Sequence, residues 1–144
     1  MCVMKEELSK RILITDDDLD LLMLLERRLI KEGYQVETAA SLPEAEEIMV
    51  SYLPDLVLLD INLKGEDGRQ LCWKMKMWEE HRYTKVIIMS GYDYSIGRAV
   101  LFGADDLLPK PLNMDFLLHR ITHLLNEADG MDNPVFPVSK ELEE

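Results

Sequence analysis

Acidic side chains recur where short apolar runs end. Asp16, Asp17 and Asp18 follow RILIT, Asp60 closes LVLLD, Ser90 closes VIIMS, and Lys110, with Pro111 after it, follows DLLP. If those runs are strands of one parallel sheet, loops far apart in sequence meet beyond its carboxyl edge, where open α/β sheets bind ligands. The resulting pocket holds carboxylates, a hydroxyl and an ammonium. Crowded carboxylates repel, and protonation or a bound cation relieves them. A hard divalent ion is the economical remedy. Mg2+ takes oxygen ligands, keeps several waters and commonly uses one or two carboxylates with phosphate oxygens. Asp17, Asp60 and the backbone carbonyl of Asn62 are available as the protein's share. A carboxylate can also attack phosphorus to form an aspartyl phosphate, the protein's task then being to position the groups and neutralise the transferring oxygens. Lys110 and the cation suit that task.

The elements that must hold these residues are legible as an alternation of short apolar runs with segments of helical period, the pattern of a parallel sheet covered on both faces. The runs are Arg11 to Thr15, Gln35 to Ala39, Leu56 to Asp60, Val86 to Ser90 and Asp106 to Pro109; the third and fourth read as buried on both sides. Between them lie the stripes Leu22, Leu25 and Leu29; Ala45, Ile48, Met49 and Tyr52; Leu71, Met75 and Trp78; Ile96, Ala99, Val100 and Gly103; and Leu117, Ile121, Leu124 and Leu125. Ser41 with Glu44 reads as a capping box, Asp18 and Asn113 as helix caps, and Gly33 and Gly103 as left-handed helix ends. The expectation is a doubly wound five-stranded parallel sheet of flavodoxin-like order 2-1-3-4-5 with five helices.

With 144 residues, 47% of them hydrophobic, the chain fits one domain. A net charge of −12 argues against direct nucleic-acid binding, which needs clustered Lys and Arg. No run approaches the roughly 20 apolar residues of a membrane helix, and MCVMKEELSKR is too charged for a signal peptide. Cys2 and Cys72 match no metal spacing or disulfide framework, so the expected compartment is a reducing cytoplasm. Residues 1–9 read as an extension, 10–127 as the domain, and 128–144, acidic and proline-containing, as a tail or the start of a linker.

Together, ILITDDD, LVLLDINLKGEDG, VIIMSGY and GADDLLPKPL resemble the receiver domains of two-component response regulators, over about residues 10 to 126. The resemblance implies that Asp60 is the phosphoacceptor and that Asp16 and Asp17 are the acidic pair of the Mg2+ site, to which Asn62 lends its carbonyl. It further implies that Ser90 is the switch hydroxyl and that Lys110, before a cis Pro111, pairs with the phosphoryl group. Mn2+ could substitute for Mg2+. The implied partners are a histidine kinase or phosphotransfer protein and a downstream protein, with a phosphorylation-dependent homodimer also compatible. Such a chain is a signalling module that assists its own phosphorylation and dephosphorylation rather than a turnover enzyme. Asn62 and Tyr92 stand where the phosphoryl lifetime is tuned in this family.

Two positions depart from the family pattern. Lys64 stands where a proline is usual, four residues after the phosphoacceptor, and Leu107 replaces the aromatic three residues before the lysine. Leucine has no ring to rotate inward when the hydroxyl moves, so the usual switch is in question. Rival readings are a haloacid-dehalogenase-type phosphatase, an interaction module independent of phosphorylation, and a receiver cut from a longer kinase or transcription factor. The phosphatase would need a second Asp as general acid where Asn62 stands. His81, His119 and His123 read as exposed helix surface, and Trp73 and Met77, beside their helix's buried stripe, either fill a gap in the core or form a contact patch.

Overall fold

The computed structural model describes residues 9–91 and 103–130. The described chain divides at Leu112 into two units.

In the first unit, five strands form one parallel sheet: β1 (Arg11–Thr15), β2 (Gln35–Ala39), β3 (Leu56–Asp60), β4 (Lys85–Ser90) and β5 (Asp106–Pro109). The order is β2-β1-β3-β4-β5, the flavodoxin-like arrangement expected. Its centre explains the composition of the runs. All five residues of β3 are buried, and β4 is buried from Val86 onward, because each strand is covered on both faces. Edge strand β2, QVETA, alternates instead, and its exposed Gln35 and Glu37 discourage pairing with another chain.

Side-chain parity sorts the core. Leu13, Val57, Leu59, Val86, Ile88 and Leu107 point into one cluster with Ala45 and Met49 of α2 (Leu42–Ser51) and Leu71, Cys72 and Met75 of α3 (Arg69–Met77). Ile12, Ile14, Leu56, Leu58, Ile87 and Met89 alternate with them and are fully buried on the opposite face. On β1 and β2 rests α1 (Leu19–Lys31), which buries Leu22, Leu25 and Leu29, the stripe read from the sequence.

The punctuation works as expected, with one shift. Asp18 caps α1 by accepting from the N–H groups of Asp20 and Leu21. Ser41 accepts from Glu44 N–H at 3.3 Å, whereas the Glu44 carboxylate reaches Ala40 N–H, one residue before the cap. Gly33 has φ 102° and Gly103 φ 93°, conformations that favour glycine. In the second unit, α4 (Met114–Gly130) is capped by Asn113 Oδ1, which accepts from Phe116 N–H at 3.0 Å, and it buries Leu117, Ile121, Leu124 and Leu125. Four of the five expected α-helices thus fall among the described residues; the stripe Ile96, Ala99 and Val100 lies outside them, as do Tyr92 and most of the tail. No helix among the described residues is long and apolar enough to cross a membrane.

Two local findings differ from the sequence reading. His81 is buried rather than exposed: it is the last residue of a short 3-10 turn (Glu79–His81), Nε2 lies 3.1 Å from Met49 O, and the ring tilts against Trp78. His119 and His123 are exposed. Between β3 and α3, Asn62–Leu63 pairs antiparallel with Glu66–Asp67, and the two residues joining them, Lys64 (φ 52°) and Gly65 (φ 86°), are both left-handed. A two-residue hairpin of type I′ needs positive φ at both positions. A proline, fixed near −65°, could not occupy Lys64's place in it.

Thr15 gives a first prediction. Its Oγ1 is buried and has no hydrogen-bond partner among the described residues, so the hydroxyl bears a desolvation cost with no return. Thr15→Val keeps the shape and removes that cost. Urea unfolding should show a gain of about 1 kcal/mol; a loss would mean that the hydroxyl is satisfied in solution.

Candidate functional site

The pocket lies at the carboxyl edge of the sheet. Asp16 N–H donates to Ala39 O at 3.1 Å, extending the β1–β2 pairing by one residue and fixing where Asp16 points. Its side chain is fully buried: Oδ1 accepts from Asp18 N–H at 2.9 Å and Oδ2 from Lys110 Nζ at 2.7 Å. Asp60, the last residue of β3, is 5% exposed. Its Oδ1 accepts from Asn62 N–H and its Oδ2 from Lys110 Nζ, each at 3.3 Å. Asp17 is half-buried and accepts from Lys64 N–H through Oδ2 at 2.9 Å. One carboxylate oxygen from each of Asp16, Asp17 and Asp60 lies within 4.8 Å of the others.

Lys110 enters from β5. Its backbone N–H donates to Ser90 O at 2.8 Å, which ties the end of β5 to the end of β4, and the Lys110–Pro111 peptide is cis. From there the ammonium reaches two carboxylates on two other strands' ends.

The electrostatics are unbalanced. Among the described residues, three carboxylates face one ammonium, leaving two negative charges uncompensated. Burial, then the neighbouring Asp16 charge, push the Asp60 carboxyl up to about 6, and the pull of Lys110 offsets this only in part. For Lys110, burial disfavours the charged form, but the hydrogen bond to Asp16 and the charges of Asp60 and Asp16 outweigh it and hold the pKa above its ordinary value. The ammonium therefore stays charged across neutral pH. An all-oxygen donor set with excess negative charge suits a hard divalent cation, so these residues fit a metal site.

Of the residues singled out in the sequence, Asp16, Asp17, Asp60 and Lys110 converge. Ser90 is buried at the end of β4 and joins the site through its backbone carbonyl to Lys110. Asn62 turns its N–H to Asp60 and accepts from Gly65 N–H through Oδ1, at 3.2 Å. Asp18 turns away as a helix cap. Two contributors were missed. Lys64 contributes its backbone N–H, for which the Lys-Gly pair between short polar stretches was a weak turn signal. Gly68 lies so close to Asp60 that a Cβ would overlap the Asp60 carbonyl oxygen, and nothing local in the sequence announces that approach.

Removing the ammonium should expose the imbalance. Lys110→Met leaves the fully buried Asp16 carboxylate without the one cation that pairs with it among the described residues, and breaking a buried pair on one side is the expensive way to break it. Denaturant unfolding at pH 7 without divalent ions should show a loss of about 3 kcal/mol. A change within 0.5 kcal/mol, the range of ordinary surface substitutions, would contradict it.

A five-stranded doubly wound sheet with clustered carboxylates and a lysine at its carboxyl edge defines a class of α/β domain. The sequence model of the response regulator receiver domain matches residues 12–122, and the chain belongs to that family. It is 35% identical over 119 residues to the response regulator PleD of Caulobacter vibrioides, covering 81% of this chain and 26% of PleD. It is 32% identical over 122 residues to the transcriptional regulatory protein YxdJ of Bacillus subtilis, covering 83% of this chain and 52% of YxdJ. The chain thus spans a quarter to a half of these curated relatives. Among solved structures, a CheY-like receiver domain protein from Methanospirillum hungatei JF-1 superposes with a TM-score of 0.78 at 34% identity, covering 85% of this chain and 98% of that one.

Proposed function

We propose that this receiver accepts a phosphoryl group on Asp60 from a histidine kinase or phosphotransfer protein, in a Mg2+-dependent reaction, and thereby switches a protein-interaction surface. The observation that carries the reading is the Asp60 carboxylate beside Asp16, Asp17 and the Lys110 ammonium at one strand edge.

The chemistry follows from those groups. Asp60 must be ionised to attack, and with its carboxyl at about 6 it is mostly so at pH 7.5. An Asp60 oxygen forms the new bond to phosphorus as the bond from phosphorus to the donor nitrogen breaks, and that nitrogen leaves with the electron pair. Lys110, already 3.3 Å from Asp60 Oδ2, pairs with the phosphoryl oxygens as their charge arrives beside it. Asp16, Asp17, Asp60 and the Asn62 carbonyl would hold Mg2+, or Mn2+ in its place. When bound, the cation supplies charge neutralisation for the carboxylates and the phosphoryl oxygens. The Ser90 hydroxyl stands at the same edge as the group that would respond to the new phosphoryl oxygens.

The readout differs from an aromatic switch. Leu107 is buried in the core cluster with Val86 and Ile88, so position 107 acts through packing rather than through a rotating ring. The downstream reader is a protein, since a charge of −12 repels nucleic acid, and the thiol-sparing composition suits the cytoplasm.

Incubation with a small-molecule phosphodonor such as acetyl phosphate, with and without Mg2+, followed by intact-mass measurement, tests the reading. One phosphoryl group gained only with the metal supports it. No gain under either condition overturns it, and steady release of inorganic phosphate from assorted esters would support a phosphatase instead.

A further inference from the structure

The hairpin between β3 and α3 does more than connect them. Lys64 sits at φ 52°, the left-handed region that non-glycine residues seldom occupy. Such positions persist when the surroundings over-determine them. Three contacts do so here. The Asn62–Leu63 and Glu66–Asp67 pairing closes the hairpin, Asn62 Oδ1 accepts from Gly65 N–H at 3.2 Å, and Lys64 N–H donates to Asp17 Oδ2 at 2.9 Å. Only the last reaches out of the hairpin, and it ends on the least buried of the three clustered carboxylates. Asp16 is held by Lys110 and Asp18 N–H, and Asp60 by Lys110 and Asn62 N–H. Lys64 N–H is what fixes Asp17 against the remainder of the site.

We propose that Lys64 is a positioning residue for the divalent cation: its left-handed backbone aims an N–H at Asp17 and so preorganises that carboxylate as a ligand. The proposal rests on the Mg2+ reading above and goes beyond it. A proline at this position would have neither the N–H nor the dihedral needed. Partners that orient metal ligands typically alter affinity by 10- to 100-fold when removed, and a single hydrogen bond to a half-buried carboxylate belongs at the lower end.

The test is Mg2+ titration by calorimetry of the full chain as wild type, Lys64→Gly and Lys64→Pro, with circular dichroism to check folding. Both variants lack the ammonium, so they differ only in the N–H and the dihedral. Lys64→Gly, the conservative change, should bind within twofold of wild type, and Lys64→Pro about tenfold more weakly. Equal affinity in the two variants overturns the proposal while leaving the metal site standing. Absence of Mg2+ binding by the wild type overturns both. A second measurement is independent of whether the proline variant folds. The Lys64 amide should exchange with deuterium at least tenfold more slowly in the metal-free wild type than in Asp17→Ala, and equal rates in the two would overturn the proposal.

Discussion

Asp60→Asn is expected to abolish the phosphodonor-dependent gain of mass and, at the same time, to make the protein more stable in metal-free buffer. The first effect is chemical, since an amide oxygen lacks the charge needed to attack phosphorus. The second is electrostatic. In the folded chain burial and the Asp16 charge raise the Asp60 carboxyl to about 6, against 3.8 for a free aspartate. A raised folded pKa means that the folded state binds the proton more tightly, so the carboxyl's favourable contribution is present below about pH 4 and lost as pH rises through about 6. Above that, the ionised group opposes folding by about 2–3 kcal/mol, taking 1.36 kcal/mol per pKa unit. The asparagine variant should therefore exceed wild type by about 2 kcal/mol at pH 8, with the advantage gone near pH 4. Chemical unfolding across that range measures it. Saturating Mg2+ should narrow the gap at pH 8, because a ligand that binds only the folded wild type stabilises it. Equal stability at pH 8 without metal would show that solvent relieves the crowding.

Gly68→Ala should be the most damaging single methyl addition near the site. Gly68 has ordinary helical dihedrals, φ −61° and ψ −22°, so its glycine is not explained by backbone freedom. The reason is contact: an added Cβ would overlap the carbonyl oxygen of Asp60, while Gly68 N–H donates to Ile61 O at 2.7 Å. Backbone meets backbone, so no side-chain rotamer can relieve the overlap. Either the start of α3 withdraws or the end of β3 moves, and the phosphoacceptor moves with it. A loss of about 3 kcal/mol in unfolding free energy is expected, at the upper end for overpacking, with phosphorylation slowed at least tenfold, since a displacement near 1 Å can cost a hundredfold. Wild-type kinetics in this variant would mean that the helix alone yields.

The fold was largely legible because its signals are periodic. The apolar runs coincide with the strands to within a residue, β4 beginning at Lys85 rather than Val86, and the stripes of α1 and α4 name the residues that are buried. The convergence of Asp16, Asp17, Asp60 and Lys110 followed from topology alone, since a parallel sheet gathers its carboxyl ends. What remained hidden was set by approach distance and backbone conformation. Gly68 has no periodic neighbour to betray it. Lys64 gave no warning that a lysine would adopt φ 52°. His81 read as surface because one histidine in a polar stretch, EEHR, carries no sign that Met49 O waits for its ring.

The burial of Leu107 also has a practical consequence. The cluster that holds it also holds Cys72, whose thiol is fully buried and pushed up to about 11, chiefly by desolvation. A thiol so placed reacts only when the core opens, because the thiolate is the reactive form. In a chain whose Cys2 is replaced by serine, the rate of Cys72 alkylation would clock excursions of the very layer into which position 107 packs. Timed labelling before and after phosphorylation would then give a kinetic record of how firmly the core holds that leucine.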